Sequence, residues 1–536
     1  MALKYLYVPS GYKAGTAYGV LPNDSSADFD QFERNTFATR TNKDGLLETH
    51  QTFGNNLVTN GDFATDSNWD KSDGSITISG GKGNFNDTPN GYALQQNNFL
   101  TAGKRYEVTF TVSNYEEGGV LVRRPFITPS VNSNGLHTVT GIAVGSSGGS
   151  DDLRFQTLGT TTLSIDDVSV KEVSLNVPRI DYSDGGCPSL LLERQRTNIC
   201  KYSEAANSWV KNPSGSAVTI RLNDEVAPDG KKSSDVISVL TEFDGVYTQG
   251  VTIIPSTTYS CSAYVKHVSG SSKIRFGISS NFHSGTSSKV VRFDLSDGSI
   301  IQNNLAGVGE FKSVYVGNGW YRLIIENIVV PSNAGGTSYV QVYSYESAFT
   351  EFAVWGGQIE EGGYTSSYIP NLSNGTTTRN NDAGNFAGNF EFNSNEGVLE
   401  ARFKAFPDTN QQKRITLGEI SANNRVVLGY IYKDGIVKPY LLIISPSAGA
   451  DEVWVSMPSS FNIFNYNTYK FKFQSGNNEL KINGELVDTD DTFKTHTFLF
   501  DAALYNVSFN SSRTSTSNLF YGGVKHIKIY DSITDF

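Results

Sequence analysis

RYEVTFTVSN, residues 105–114, alternates apolar and polar side chains along its whole length. Tyr106, Val108, Phe110 and Val112 share one face, which is the period of two that a half-buried β-strand imposes. TTYSCSAYVKHV, residues 257–268, answers it with a turn, an aromatic residue and then alternation. The text around each strand is doubled as well. One stretch opens NLVTNGDF (56–63), reaches Trp69 after a polar gap and closes on LSIDDVSVKEV (163–173). The other opens TNICKY (197–202), reaches Trp209 and closes on FAVWGGQIEEG (352–362). Matched openings, tryptophans and closings predict two modules of related construction.

The 536 residues are too many for one core and suggest three or four domains. Turn-forming Gly, Asn, Asp and Ser recur about every ten residues between short apolar runs, and no helical period persists over three turns, so the chain reads as all-β. No apolar run approaches the ~20 residues of a membrane-spanning helix. The start, MALKYLYVPSGYKAG, lacks the pattern of a signal peptide, so synthesis in a cytoplasm is expected. The net charge is −11 with no basic stripe, which argues against nucleic acid as a partner. Cys187, Cys200 and Cys261 have neither the number for a disulfide framework nor the spacing for zinc or redox chemistry.

The organisation expected is an extended N-terminal arm and linker over 1–55, a first module over 56–175 and a linker over 176–198. A second module over 199–370, a linker over 371–396 and a third β unit over 397–536 follow. The arm has too few apolar residues for a core of its own, so it is expected to pack on a partner subunit or assembly, or to be a loose tail. The third unit carries hairpin signals at KDG (433–435) and GNN (476–478).

With its NLVTNGDF opening, Trp69, RYEVTFTVSN and closing SIDDVSV, the first module resembles the jelly-roll carbohydrate-binding modules. The second resembles a more divergent jelly roll, with GNGWYRLII and VWGGQIEEGGYTSSYIP similar to phrases of bacteriophage tail and virion proteins. ATRTNKDGLLE (38–48), NVPRIDYSDGGCPSLLLERQRTN (176–198) and TTTRNND (376–382) are similar to linker text of phage tail-fibre and virion-associated proteins. In that text the Gly-Leu-Leu-Glu phrase runs almost directly into Val-Pro-Arg-Ile-Asp-Tyr. Here residues 49–175 separate them, so the first jelly roll is expected to be an insertion into the connector. The third unit, through NTYKFKFQSGNNELKINGELV (467–487) and FYGGVKHIKIYDSITD (520–535), resembles a concanavalin-like or laminin-G-like sandwich. The fold class implied is serial β-sandwiches: two jelly rolls plus a concanavalin-like sandwich, with an extended N-terminal arm.

Jelly rolls of the resembled kind often hold a structural Ca2+ where first and last strands meet. The candidates for it here are Asp62, Asp166 and Asp167, although acids on an edge strand also serve to discourage sheet-to-sheet pairing. Trp454 alternates with Val453 and Val455 and is the tryptophan best placed to stack on a sugar ring; the other four read as core. No catalytic residue is assigned. The third unit lacks the E-x-D-x-(x)-E run of concanavalin-like hydrolases, GxSxG and HExxH are absent, and the six histidines are scattered. The resemblance implies a non-enzymatic phage virion fibre or appendage, made in the host bacterial cytoplasm. It would attach to other virion proteins through the N-terminal arm, assemble as a homotrimer and bind host surface glycan or glycoprotein without membrane insertion. The alternatives are an architectural virion spacer or a polysaccharide depolymerase.

Overall fold

A computed structural model describes residues 3–13, 16–21, 24–28, 31–97, 99–124, 126–143, 152–213, 217–393, 395–407, 412–418, 423–433, 435–446, 449–454, 462–487, 491–500, 504–510, 518–534 and 536. Strands dominate it, and the helical pieces among these residues are single turns such as Asp491–Lys494. The chain forms two compact units. One is Gln51–Leu175; the other joins Met1–His50 to Asn176–Phe536.

The Gln51–Leu175 unit is a two-sheet sandwich. Arg105–Glu117 lies between Gly135–Ile142 and Thr161–Ser174 in a six-stranded sheet, facing a four-stranded sheet of Val120–Arg124, Leu153–Thr157, Ala93–Gln96 and Asp70–Lys71. Tyr106, Val108, Phe110 and Val112 are buried with Leu94 and Phe155 from the opposite sheet. The unit's two ends lie side by side, Thr52 opposite Ser174 and Phe53 opposite Val173. Trp69 is a core residue: its ring centroid lies 5.0 Å from that of Phe63, and its indole N–H donates to the Asn60 carbonyl.

In the larger unit, residues 199–370 make a sandwich of two six-stranded sheets. One centres on Thr350–Glu361 and Thr258–Gly270, the other on Val340–Ser344 and Lys273–Ile278. Alternation buries Ile274, Phe276, Ile278 and Val342 between them. Trp209, Trp320 and Trp355 are also buried. On the far side of the first sheet the Tyr368 hydroxyl donates to Glu204 at 3.2 Å, and burial raises the Glu204 carboxyl to about 7. A carboxyl raised in the folded state favours folding most below its unfolded value near 4.5, and that contribution is lost as pH rises through 7. Glu204→Gln is therefore expected to raise the urea midpoint at pH 8 and to leave it nearly unchanged at pH 4.

The third sandwich pairs a ten-stranded with a seven-stranded sheet. The N-terminal segment is extended and packs against its own chain. Leu3–Lys13 pairs with Gly522–Tyr530, placing Tyr7 opposite Ile527. The alternation in LKYLYV buries Tyr5 and Tyr7 in the core of this sandwich and completes a sheet that the C-terminal residues alone leave short.

The linker reading of 176–198 and 371–396 is corrected by the structure. Arg179–Asp181 and Ser189–Leu192 form a hairpin in the ten-stranded sheet, and Ala383–Phe392 is a strand of the seven-stranded sheet. Their charged residues close on one another in the interior. Arg179 donates to Glu193 Oε2 at 2.8 Å, to the Thr39 carbonyl at 3.0 Å, and to Asp382. Arg34 donates to Asp382 Oδ1 at 3.1 Å, Arg379 to Glu193, and the Ser367 N–H to Glu193 Oε1 at 2.8 Å. The side chains of Arg34, Arg179, Arg379 and Asp382 are wholly buried and that of Glu193 nearly so. Polar composition made these segments read as connectors. Pairing of three guanidiniums with two shared carboxylates, leaving one positive charge in excess, lets them be core.

Candidate functional site

Outward-pointing residues of the second sandwich form a continuous face on the sheet that contains Val340–Ser344 and Lys273–Ile278. Since Val342, Ile274 and Phe276 face the core, their neighbours at odd spacing face out. Two cross-strand rows result. In one, Tyr247 lies opposite Gln341 and Gln341 opposite Gly277. In the other, Tyr343 lies opposite Arg275, Arg275 opposite Arg292, and Arg292 opposite Gln302. Adjacent strands are about 4.8 Å apart, so the second row crosses roughly 14 Å of sheet.

Aromatic packing fixes these side chains. The rings of Tyr247 and Tyr339 lie 4.4 Å apart. The Arg275 guanidinium lies 3.6 Å over the Phe243 ring and pairs with Glu242, and Arg292 lies 4.7 Å over Tyr345. Burial, with Tyr339 and Tyr247 nearby, pushes the Tyr343 phenol up, so it remains a neutral hydroxyl donor and acceptor. Burial likewise lowers Arg275, against the opposing pull of Glu242. Gln341, Tyr343 and Arg275 are buried beneath this layer, and what the face offers is Tyr247, Tyr339, Phe243, Tyr345 and Arg292. Such ring faces beside a guanidinium match a sugar, whose C–H face packs on the aromatics while its hydroxyls meet the polar group.

None of these residues was singled out from the sequence, yet a signal was present. YVQVYSY, residues 339–345, places Tyr339, Gln341, Tyr343 and Tyr345 at period two against valines. The expected site residues fall elsewhere. Trp454 ends the strand Gly449–Trp454 opposite Tyr440, and its side chain lies outside the described residues. Asp62, Asp166 and Asp167 sit where the Gln51–Leu175 sandwich closes, since the Val168 N–H donates to the Gly61 carbonyl at 2.9 Å. Their carboxylates are engaged locally. Asp166 accepts the Asp167 N–H at 2.7 Å, Asp62 accepts the Ala64 N–H at 3.4 Å, and Asp167 accepts the Thr111 hydroxyl at 3.5 Å. Among the described residues no group of three or more His, Cys, Asp or Glu is arranged to hold a metal ion.

No protein-family model and no curated protein matches the chain. Among solved structures it is similar to the N-terminal CBM22-1–CBM22-2 tandem domain of Xyn10C from Paenibacillus barcinonensis. The two share 11% identity over 58% of this chain and 98% of that one, with a TM-score of 0.22. It is also similar to domains LG4-5 of the mouse laminin α1 chain, at 11% identity over 62% of this chain and 91% of that one, with a TM-score of 0.20. The chain is a serial β-sandwich protein. Its two units comprise three sandwiches, and the outward face built on Tyr343 and Arg275 belongs to the second of them.

Proposed function

We propose that this serial β-sandwich protein is a bacteriophage virion appendage that attaches to the host surface by binding glycan, without cleaving it. The observation that carries the glycan reading is one sheet face on which Tyr247, Tyr339 and Arg292 stay partly exposed over a buried row of Gln341, Tyr343 and Arg275. The virion reading rests on the phrases at 38–48, 176–198 and 376–382 that resemble phage linker text. Binding is weak at each face and becomes firm by avidity in a homotrimer displayed in many copies.

A glycan array probed with the full chain should return host-type polysaccharides. Tyr247→Ala combined with Tyr339→Ala is expected to weaken the best of them at least tenfold, about 1.4 kcal/mol, with an unchanged melting temperature. A folded double variant that binds as well as the parent removes this face as the site. A parent chain that binds no glycan leaves the architectural spacer reading standing. Release of reducing ends from host capsule would instead establish a depolymerase. Antibody labelling of intact particles in electron micrographs tests the location, and light scattering tests the trimer: a monomer at every concentration overturns it.

A further inference from the structure

A cavity of about 510 Å3 lies in the larger unit, apart from the tyrosine and arginine face. It falls within the roughly 300–1,000 Å3 range of small-molecule sites. One wall is the outer surface of the sheet containing Trp320–Val329, with Tyr264, Val314 and Arg322; the opposite wall is the loop of the 179–192 hairpin, with Asp181 and Tyr182. Glu193 and Ser367, members of the buried ion cluster, also line it. The phrases that read as linker thus build a large share of the cavity.

The charges lining it are nearly all matched. Arg40 pairs with Glu48 at 2.7 Å, Lys404 with Asp184 at 2.6 Å, and Glu193 with Arg179 at 2.8 Å. Arg322 and Asp181 remain, and among the described residues neither has an ion-pair partner. Arg322 rests 5.4 Å over the Tyr264 ring and spends N–H groups on Ser262 Oγ at 3.1 Å and the Ser366 carbonyl at 3.0 Å. A guanidinium carries five N–H donors, so capacity is left over. Asp181 accepts the Thr41 N–H at 2.8 Å and the Ser183 N–H at 3.1 Å, together with the Ser183 hydroxyl. The residual charges cancel, so a phosphate or other strong anion has no excess of positive charge to meet. A purely apolar ligand would leave the spare Arg322 donors without compensation. A ring with an apolar face and several hydroxyls meets the accessible Tyr182 and Tyr315 of the lining, the spare guanidinium donors and the carboxylate together.

We propose that this cavity is a second ligand site, taking a short neutral saccharide. It is separate from the sheet face and does not depend on that face binding glycan.

The test titrates the full-length chain with neutral di- and trisaccharides of glucose, xylose, mannose and galactose and with uronate-containing counterparts, using calorimetry and saturation-transfer NMR. Arg322→Gln removes the spare donors. Val314→Trp blocks the mouth from a 45%-exposed edge-strand position and removes no hydrogen bond of the cavity, so folding is retained even if Arg322→Gln unfolds. At least one neutral saccharide is expected to bind, to lose tenfold or more in Val314→Trp, and to be unaffected by Tyr247→Ala. Unchanged binding of every saccharide in folded Val314→Trp overturns the site, as does the absence of any binding to the parent. Tenfold tighter binding of the uronates overturns the charge-balance argument and hence the ligand class. Loss of all binding in Tyr247→Ala assigns saccharide recognition to the sheet face alone.

Discussion

Replacing Glu193 by alanine is expected to unfold the unit formed by residues 1–50 and 176–536 under conditions where the parent chain is stable. The nearly buried carboxylate accepts from Arg179, Arg379 and the Ser367 N–H and hydroxyl. Its removal leaves Arg34, Arg179 and Arg379 buried with Asp382 alone to neutralise them. Removing one partner of a buried ion pair costs about 3–5 kcal/mol, a large fraction of a typical domain's stability. Urea denaturation followed by tryptophan fluorescence reads the effect, because Trp209, Trp320 and Trp355 report on this unit. A midpoint within error of the parent's would show that the cluster is not holding the unit together.

The pH dependence has a definite sign. Burial alone would raise the Glu193 carboxyl, but Arg379 and Arg179, with the Ser367 bonds, hold it far below the usual carboxylate range. A depressed folded-state pKa means the contribution is fully present above the unfolded value of about 4.5 and fades as pH falls below it. The urea midpoint attributable to this residue should therefore be flat from pH 7 to 5 and begin to fall only in stronger acid. Glu193→Ala should lack that acid limb.

Gly61→Ala is expected to strike the other unit alone. A Cβ at position 61 would lie 2.1 Å from the Val168 carbonyl oxygen, a backbone atom with no rotamer into which to retreat. The Val168 N–H meanwhile bonds the Gly61 carbonyl, so the opening NGDF phrase and the closing IDDVSV strand are held at a spacing that admits only hydrogen. Overpacking of this kind costs about 3 kcal/mol. Calorimetry of the full chain should show the Gln51–Leu175 transition falling by roughly 10 °C, while the larger unit melts unchanged. A single transition that moves as a whole would mean that the two units unfold together.

Much of the architecture was legible because strand alternation is a local signal. RYEVTFTVSN and TTYSCSAYVKHV each declare which residues share a face, and the structure buries Tyr106, Val108, Phe110 and Val112 in one sandwich and Tyr259, Cys261, Ala263 and Val265 in the other. The same period was available in YVQVYSY, but alternation leaves open whether a polar and aromatic face is covered by another segment or left outward. Tyr264 and Tyr343 illustrate the difference. Both point away from their sandwich core and both are buried, Tyr264 beneath Tyr368 and Trp355 and Tyr343 within its row, whereas Tyr247, Tyr339 and Arg292 around Tyr343 stay partly exposed.

The ion cluster was illegible for a further reason. Arg34, Arg179, Glu193, Arg379 and Asp382 lie in polar, Gly- and Asn-rich phrases, and a charged residue in such a phrase is normally solvated. Only the fold brings Arg34 to Asp382 across 348 positions and so turns an unfavourable burial into a matched one. By itself, then, the sequence determined the strand class, the doubled modules and the faces within each strand, because those depend on neighbours two residues apart. The tertiary structure decided that the N-terminal strands complete the C-terminal sheet and that the apparent linkers are core. It also decided which outward faces stay open to a ligand, because these outcomes depend on long-range pairing and on which charges are left to share an interior.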